Sequence, residues 1–90
     1  GLGQWKRRSE RDLGEEIASR YRDSLDETAL DDILGIASLI RMERGIGMDD
    51  ICSRLSLTYS RVATLTGLLE SDRIIDIDLL HRCSINAKNV

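Results

Sequence analysis

The sequence predicts a mainly α fold closed by a small β-wing, and three observations carry the prediction. In the stretch 57–75, LTYSRVATLTGLLESDRII, a capped amphipathic helix leads through a short turn into a β-type run. Upstream of it, apolar residues recur at helical spacing in three more segments. The chain has no Pro and no Phe, and its aromatics are Trp5, Tyr21 and Tyr59 alone, which fits a helix-rich body around an aliphatic core. Ninety residues make one small domain with a single modest core and little room for an enclosed catalytic cleft.

Taken in order, residues 1–4 read as a loose start, and Trp5-Lys6-Arg7-Arg8 is the one concentrated basic patch. A helix follows from about Ser9, a candidate cap. Leu13, Ile17 and Tyr21 lie four apart on one face, while Glu10, Asp12, Glu15, Glu16, Arg20 and Arg22 cover the others. Glu16 and Arg20 form a favourable i,i+4 pair worth about 0.3–0.5 kcal/mol. The stripe is narrow, so this helix needs a partner: the body of the domain, a second copy of the chain, or an upstream domain. These residues, 1–27, are predicted to be a basic arm with an extra amphipathic helix.

A polar break at 23–27 leads into a helix over about 28–43, with Asp26 or Thr28 as its cap. Leu30, Ile33, Leu34, Ala37 and Ile40 make a stripe broad enough for this to be the central core helix. Arg41 and Arg44 suit its negative end, and Gly45 or Gly47 stops it. Ile46 is a candidate for a short strand. Residues 48–55 then form a short helix with Asp49 and Asp50 at its positive end and Met48, Ile51, Cys52 and Leu55 on its apolar face.

After the turn Ser56-Leu57-Thr58 the opening stretch begins. Thr58 can cap it, and Leu57 with Val62 is placed as a hydrophobic staple. Val62, Leu65, Leu68 and Leu69 form its stripe. Beyond Ser71-Asp72-Arg73, Ile75, Ile77 and Leu79 alternate with Asp76, Asp78 and Leu80, and Arg82, Ser84 and Asn86 with Cys83 and Ile85. That pattern predicts two strands around a turn near 78–81 with no Gly in it. Residues 28–86 form the domain proper and 87–90 a tail.

A net charge of −3 and a pI near 5.1 match nucleic acid poorly in bulk, although a local patch counts for more than a total. The halves do not differ usefully: residues 1–45 hold eight basic and ten acidic side chains, and residues 46–90 five and six. Cys52 on a helix face and Cys83 in a strand read as small buried thiols of a reducing cytoplasm, with a disulfide or a metal site as the alternative. His81-x-Cys83 is too sparse for structural zinc, which takes four ligands. No secretory or membrane-spanning segment is recognisable, the longest nearly apolar stretch being 33–40. Cytoplasmic location without a membrane partner is therefore expected, and no cofactor or metal.

The segment Gly47-Met48-Asp49-Asp50-Ile51-Cys52-Ser53-Arg54-Leu55-Ser56-Leu57-Thr58-Tyr59-Ser60-Arg61-Val62 resembles the helix-turn-helix of winged-helix DNA-binding domains such as the MarR-like and ArsR-like regulators. There an apolar helix ending in Leu passes through a Leu-Ser or Leu-Thr turn into a second helix with Ser and Val early in it. The resemblance covers about residues 28–86. It implies a winged helix-turn-helix fold in which Thr58, Tyr59, Ser60, Arg61 and Thr64 face duplex DNA and Arg82 sits on the wing. Those regulators often carry basic residues where this chain has Thr64, Leu68 and Asp72, and a Gly where it has Arg73. Here the wing itself carries Asp76 and Asp78.

Ser60, Thr64, Gly67 and Ser71, spaced four, three and four apart, draw one line of small residues along the helix. A DNA strand, another helix or plain solvent fits such a line. Arg61 is the candidate for a base or phosphate contact, against an ordinary surface arginine, and Tyr59 for a contact to a sugar or phosphate, against packing on the turn. Leu79 and Leu80 at the wing tip form a sticky spot if both are exposed; if the turn lies elsewhere, one is core. The basic arm at 5–8 suits DNA or an acidic partner, and equally a linker. No catalytic constellation accompanies these features: His81 is the one histidine, and no nucleophile motif or Gly-rich phosphate loop is present. Two functions follow as expectations. One is a DNA-binding module, regulatory or recruiting, dimerised through the N-terminal helix. The other is a protein-interaction or oligomerisation module using Ser60, Thr64, Gly67, Leu79 and Leu80.

Overall fold

The computed structural model describes residues 10–87, with side chains from Leu13 onward. Ser9 and the basic patch at 5–8 lie outside the described residues. Helix α1 (Glu10–Tyr21) is followed by α2 (Glu27–Met42), strand β1 (Ile46–Gly47), α3 (Met48–Leu55), α4 (Tyr59–Ser71), β2 (Ile75–Ile77) and β3 (Arg82–Ile85). The strands form one antiparallel sheet in the order β1-β3-β2, with Ile46 opposite Cys83, and Ile77 opposite Cys83 on the other side. Three helices and a strand precede a returning hairpin that pairs with the early strand, so the chain is a mainly helical body closed by a small β-wing, with α1 as an extra N-terminal helix.

Helix starts follow local chemistry. Asp26, not Thr28, caps α2, its carboxylate accepting the N–H of Ala29 at 2.8 Å. Thr58 caps α4 by accepting the N–H of Arg61 at 3.2 Å. Helix ends are less expected. α2 stops at Met42, and Gly45 turns the chain at φ +80° so that its N–H reaches the Cys83 carbonyl at 2.9 Å, which docks β1 on β3. α3 and α4 end in left-handed residues that are not glycine: Ser56 (φ 54°) and Arg73 (φ 61°). In each case the next N–H reaches back into the last turn, from Leu57 to the Cys52 carbonyl at 3.0 Å and from Ile74 to the Leu69 carbonyl at 2.9 Å.

The core is aliphatic. Ile33, Ile36 and Ile40 of α2 lie at its centre with Ile51, Val62, Leu65, Leu69, Ile74 and Ile75, all 2 % exposed or less. Leu13, Ile17 and Tyr21 of α1 join the same cluster, so α1 packs along α2 in its own chain. Of the three partners open to this stripe, the body of the domain covers it, so a second copy of the chain would have only the other faces of α1 to meet. The α4 stripe differs by one residue from its prediction. Leu68 is half-buried, while Thr66 is fully buried beside Val62, Leu65 and Leu69. Its hydroxyl donates to the Val62 carbonyl at 2.7 Å, which satisfies the polar atom within the helix.

Candidate functional site

The face predicted for DNA is built from the N-terminal half of α4 and the wing. Thr58, Tyr59, Ser60 and Thr64 are exposed there, as the helix-turn-helix spacing requires. The polar groups of Thr58, Tyr59 and Thr64 turn inward to the chain, however. Thr64 donates to the Ser60 carbonyl at 2.9 Å. Tyr59 leans back over α3, its hydroxyl 4.0 Å from the Met48 sulfur, and keeps 47 % of its surface exposed.

Arg61 points away from the expected contact. Its Nε donates to Asp32 Oδ2 at 3.1 Å and its Nη2 lies 3.0 Å from the same oxygen, so the guanidinium ties α4 to α2. Arg82 is held as well, its Nε donating to Asp78 Oδ2 at 3.0 Å. Both arginines named for the DNA face therefore carry a carboxylate partner. Residues 28–86 hold six arginines, no lysine and nine carboxylates, so pairing leaves this face without an excess of positive charge.

The wing turn is organised by Asp78. Its carboxylate accepts the N–H groups of Leu80 at 2.9 Å and Arg82 at 3.0 Å, and its backbone N–H reaches the Arg82 carbonyl at 3.0 Å. Those contacts, the Arg82 N–H foremost, hold the Asp78 carboxyl below its usual range. His81 closes the turn at φ 60° where a glycine is the ordinary choice. The turn falls where the sequence places it, at 78–81: β2 ends at Ile77, and the turn lifts both leucines off the sheet, Leu79 at 98 % and Leu80 at 69 % exposed.

Lifting them creates a groove of about 350 Å³ between the wing tip and the start of α3, lined by Met48, Asp49, Asp50, Tyr59, Leu80 and His81. Sequence spacing pointed to Tyr59 and Leu80 but not to the others. The missing link is the pairing of β1 with β3, sealed by the Met48 N–H on the His81 carbonyl at 3.1 Å, which carries the start of α3 to the wing. Along α4 the small line holds: Ser60, Thr64 and Ser71 are exposed and Gly67 is half-buried, with no atom within 4 Å of where its Cβ would stand.

Both cysteines are free thiols, Cys83 buried and Cys52 half-buried. Burial, with the charges of Asp78 and Glu70 adding to it, pushes the Cys83 thiol up to about 11; burial and Asp49 raise Cys52. Neither is an activated nucleophile, which needs a lowered value. Among the described residues no group of His, Cys, Asp and Glu is gathered to hold a metal ion, and no helix is long and apolar enough to cross a membrane. Comparison with family models, with curated proteins and with solved structures finds no match to this chain.

Proposed function

We propose that the chain is a winged-helix protein-interaction module that binds through the wing tip and the small-residue face of α4. The observation that supports this reading is the charge state of the face. Arg61 and Arg82 are each engaged by an aspartate of the chain, while Leu79 and Leu80 stand exposed beside Tyr59 and the groove. DNA affinity rests on cations that displace counterions from phosphates, and protein recognition rests on apolar anchors with a polar rim. Ser60, Thr64 and Gly67 add a smooth surface along which a partner helix can come close.

A second reading, duplex DNA bound by the same face, draws support from the exposed Thr58, Tyr59, Ser60 and Thr64 at the start of α4 beside a wing. It requires Arg61 to leave Asp32. Titration of labelled mixed duplex at about 50 and about 200 mM salt separates the two, because binding through several phosphates falls steeply between those concentrations. On the protein reading, wild type and Arg61→Glu behave alike at both. Binding that is lost on Arg61→Glu and falls steeply with salt would sink it. In parallel, a photo-crosslinker at Leu80 is expected to capture a partner that the same group at Ser53, on the outside of α3, does not.

A further inference from the structure

We propose that the groove between the wing tip and α3 binds a cationic, amphipathic peptide segment of a partner, one that sets Arg or Lys beside a large apolar side chain. The proposal rests on the protein-binding reading and names the chemistry of what is bound. Two independent features define the occupant. The first is apolar: Leu80 and Tyr59 flank the groove while Met48 lines it, and Leu79 stands next to it almost wholly exposed. The second is charge. Asp49 and Asp50 lie side by side in the first turn of α3, exposed, and line the same groove as Leu80.

Four carboxylates of the molecule are matched by arginine, Glu43 with Arg54, Asp32 with Arg61, Asp72 with Arg20 and Asp78 with Arg82, while Asp31, Glu70 and Asp76 stand elsewhere on the surface without one among the described residues. Among the described residues neither Asp49 nor Asp50 has an ion-pair partner. The uncompensated charge of the groove is therefore negative, and a cation from outside the chain is what complements it. An anionic segment would meet both carboxylates at close range. A purely apolar one would bury them without a partner, which is costly. The open shape and its placement between a helix start and a turn suit an extended strand of a few residues, its apolar side chains on Leu80 and Tyr59 and its cation on the aspartate pair.

The test is an NMR titration of the full chain with a blocked hexapeptide of alternating leucine and arginine, and with the same peptide carrying glutamate for arginine. The arginine peptide should move the amides of Gly47, Asp49, Asp50, Tyr59, Leu80 and His81. Its affinity should fall at least about tenfold in the Asp49→Asn/Asp50→Asn double variant and also in Leu80→Ser, whose side chain is exposed and whose fold is unaffected. The glutamate peptide should leave the spectrum unchanged. Equal effects of the two peptides, shifts that map elsewhere, or no binding of the arginine peptide up to about 2 mM would overturn the proposal. Preference for the glutamate peptide would overturn it too while leaving the face a protein-binding one. Salt-sensitive movement of the same amides by duplex DNA would instead remove the reading beneath it.

Discussion

Arg61 and Asp32, twenty-nine positions apart, form a two-contact ion pair that joins the front of α4 to the second turn of α2. The pair is partly exposed, with 37 % of the arginine and 23 % of the aspartate side chain open to solvent, so its worth is set by geometry more than by burial. Two nitrogens on one oxygen should give a coupling of about 1 kcal/mol. A double-mutant cycle of Asp32→Ala and Arg61→Ala, read by urea unfolding, checks it. The same Asp32→Ala change frees a guanidinium on the α4 face. It is therefore expected to raise non-specific DNA affinity over wild type in an anisotropy titration at low salt. An unchanged titration would mean that Arg61 does not reach DNA even when released.

Tyr21 performs the corresponding tie at the other end of α4. Its hydroxyl meets the Leu68 carbonyl at 3.1 Å and the Asp72 carboxylate, and Arg20 lies 3.9 Å from Asp72. Tyr21→Phe should cost about 1 kcal/mol, since Asp72 keeps water and Arg20 as partners. Burial, then the Asp72 contact, raises the phenol above its ordinary value, and burial raises Cys83 to about 11. The fold prefers the protonated form of both. Their stabilising effect is complete below the ordinary pKa values, about 8.5 for a thiol and about 10 for a phenol, and is lost as pH rises beyond them. The urea midpoint is thus expected to fall from about pH 8.5 upward, first through Cys83. In Cys83→Ala the decline across the thiol range should be shallower, leaving there only what Cys52, also raised by burial, contributes. A midpoint that is flat to pH 11 would contradict the burial of both groups.

Much of this architecture was legible because it is written in local spacing. The cap Thr58, the span of α3 and the turn at 78–81 each depend on residues a few positions apart, whereas the α2 stripe is centred further round than its spacing suggests, with Ile36 fully buried and Leu30 and Leu34 half-buried. What the face does with its charge was not legible, because the decisive partners are distant in the chain: Asp32 for Arg61, and β1 against β3 for the groove. Thr66 was missed because an aliphatic pattern skips a threonine, although its methyl sits at the right helical position and its hydroxyl has the Val62 carbonyl to bond. β2 ends at Ile77, ahead of the turn that the sequence places at 78–81, so Leu79 and Leu80 both stand exposed. The Asp78 side chain supplies the turn contacts that close the loop there.

Three left-handed residues mark where the backbone is conformationally costly. Ser56, Arg73 and His81 sit at φ 54°, 61° and 60°. An L-residue in this region costs about 1–2 kcal/mol, and glycine avoids that penalty at some loss of unfolded-chain entropy. Ser56→Gly and His81→Gly should each stabilise the fold by about 0.5–1 kcal/mol. Arg73→Gly should gain less, because Arg73 makes a further interaction that the change puts at risk. Thermal melts of the three variants check the order. A destabilised His81→Gly would show that the imidazole itself holds the wing tip in place.

Gly67 offers the sharpest test of the small-residue face. It lies within α4, half-buried, and a methyl added there meets no atom within 4 Å. In the isolated chain Gly67→Ala should therefore stabilise α4 by up to about 1 kcal/mol through helix propensity alone. If a partner helix packs along Ser60, Thr64 and Gly67, the added methyl stands where its backbone must come closest. Binding then weakens while stability rises. If that face is simply solvated, stability rises and the partner captured at Leu80 is held as before. Urea unfolding and the Leu80 crosslink, measured on the same variant, distinguish the outcomes. A gain in stability with undiminished crosslinking would confine the interaction surface to the wing tip and its groove.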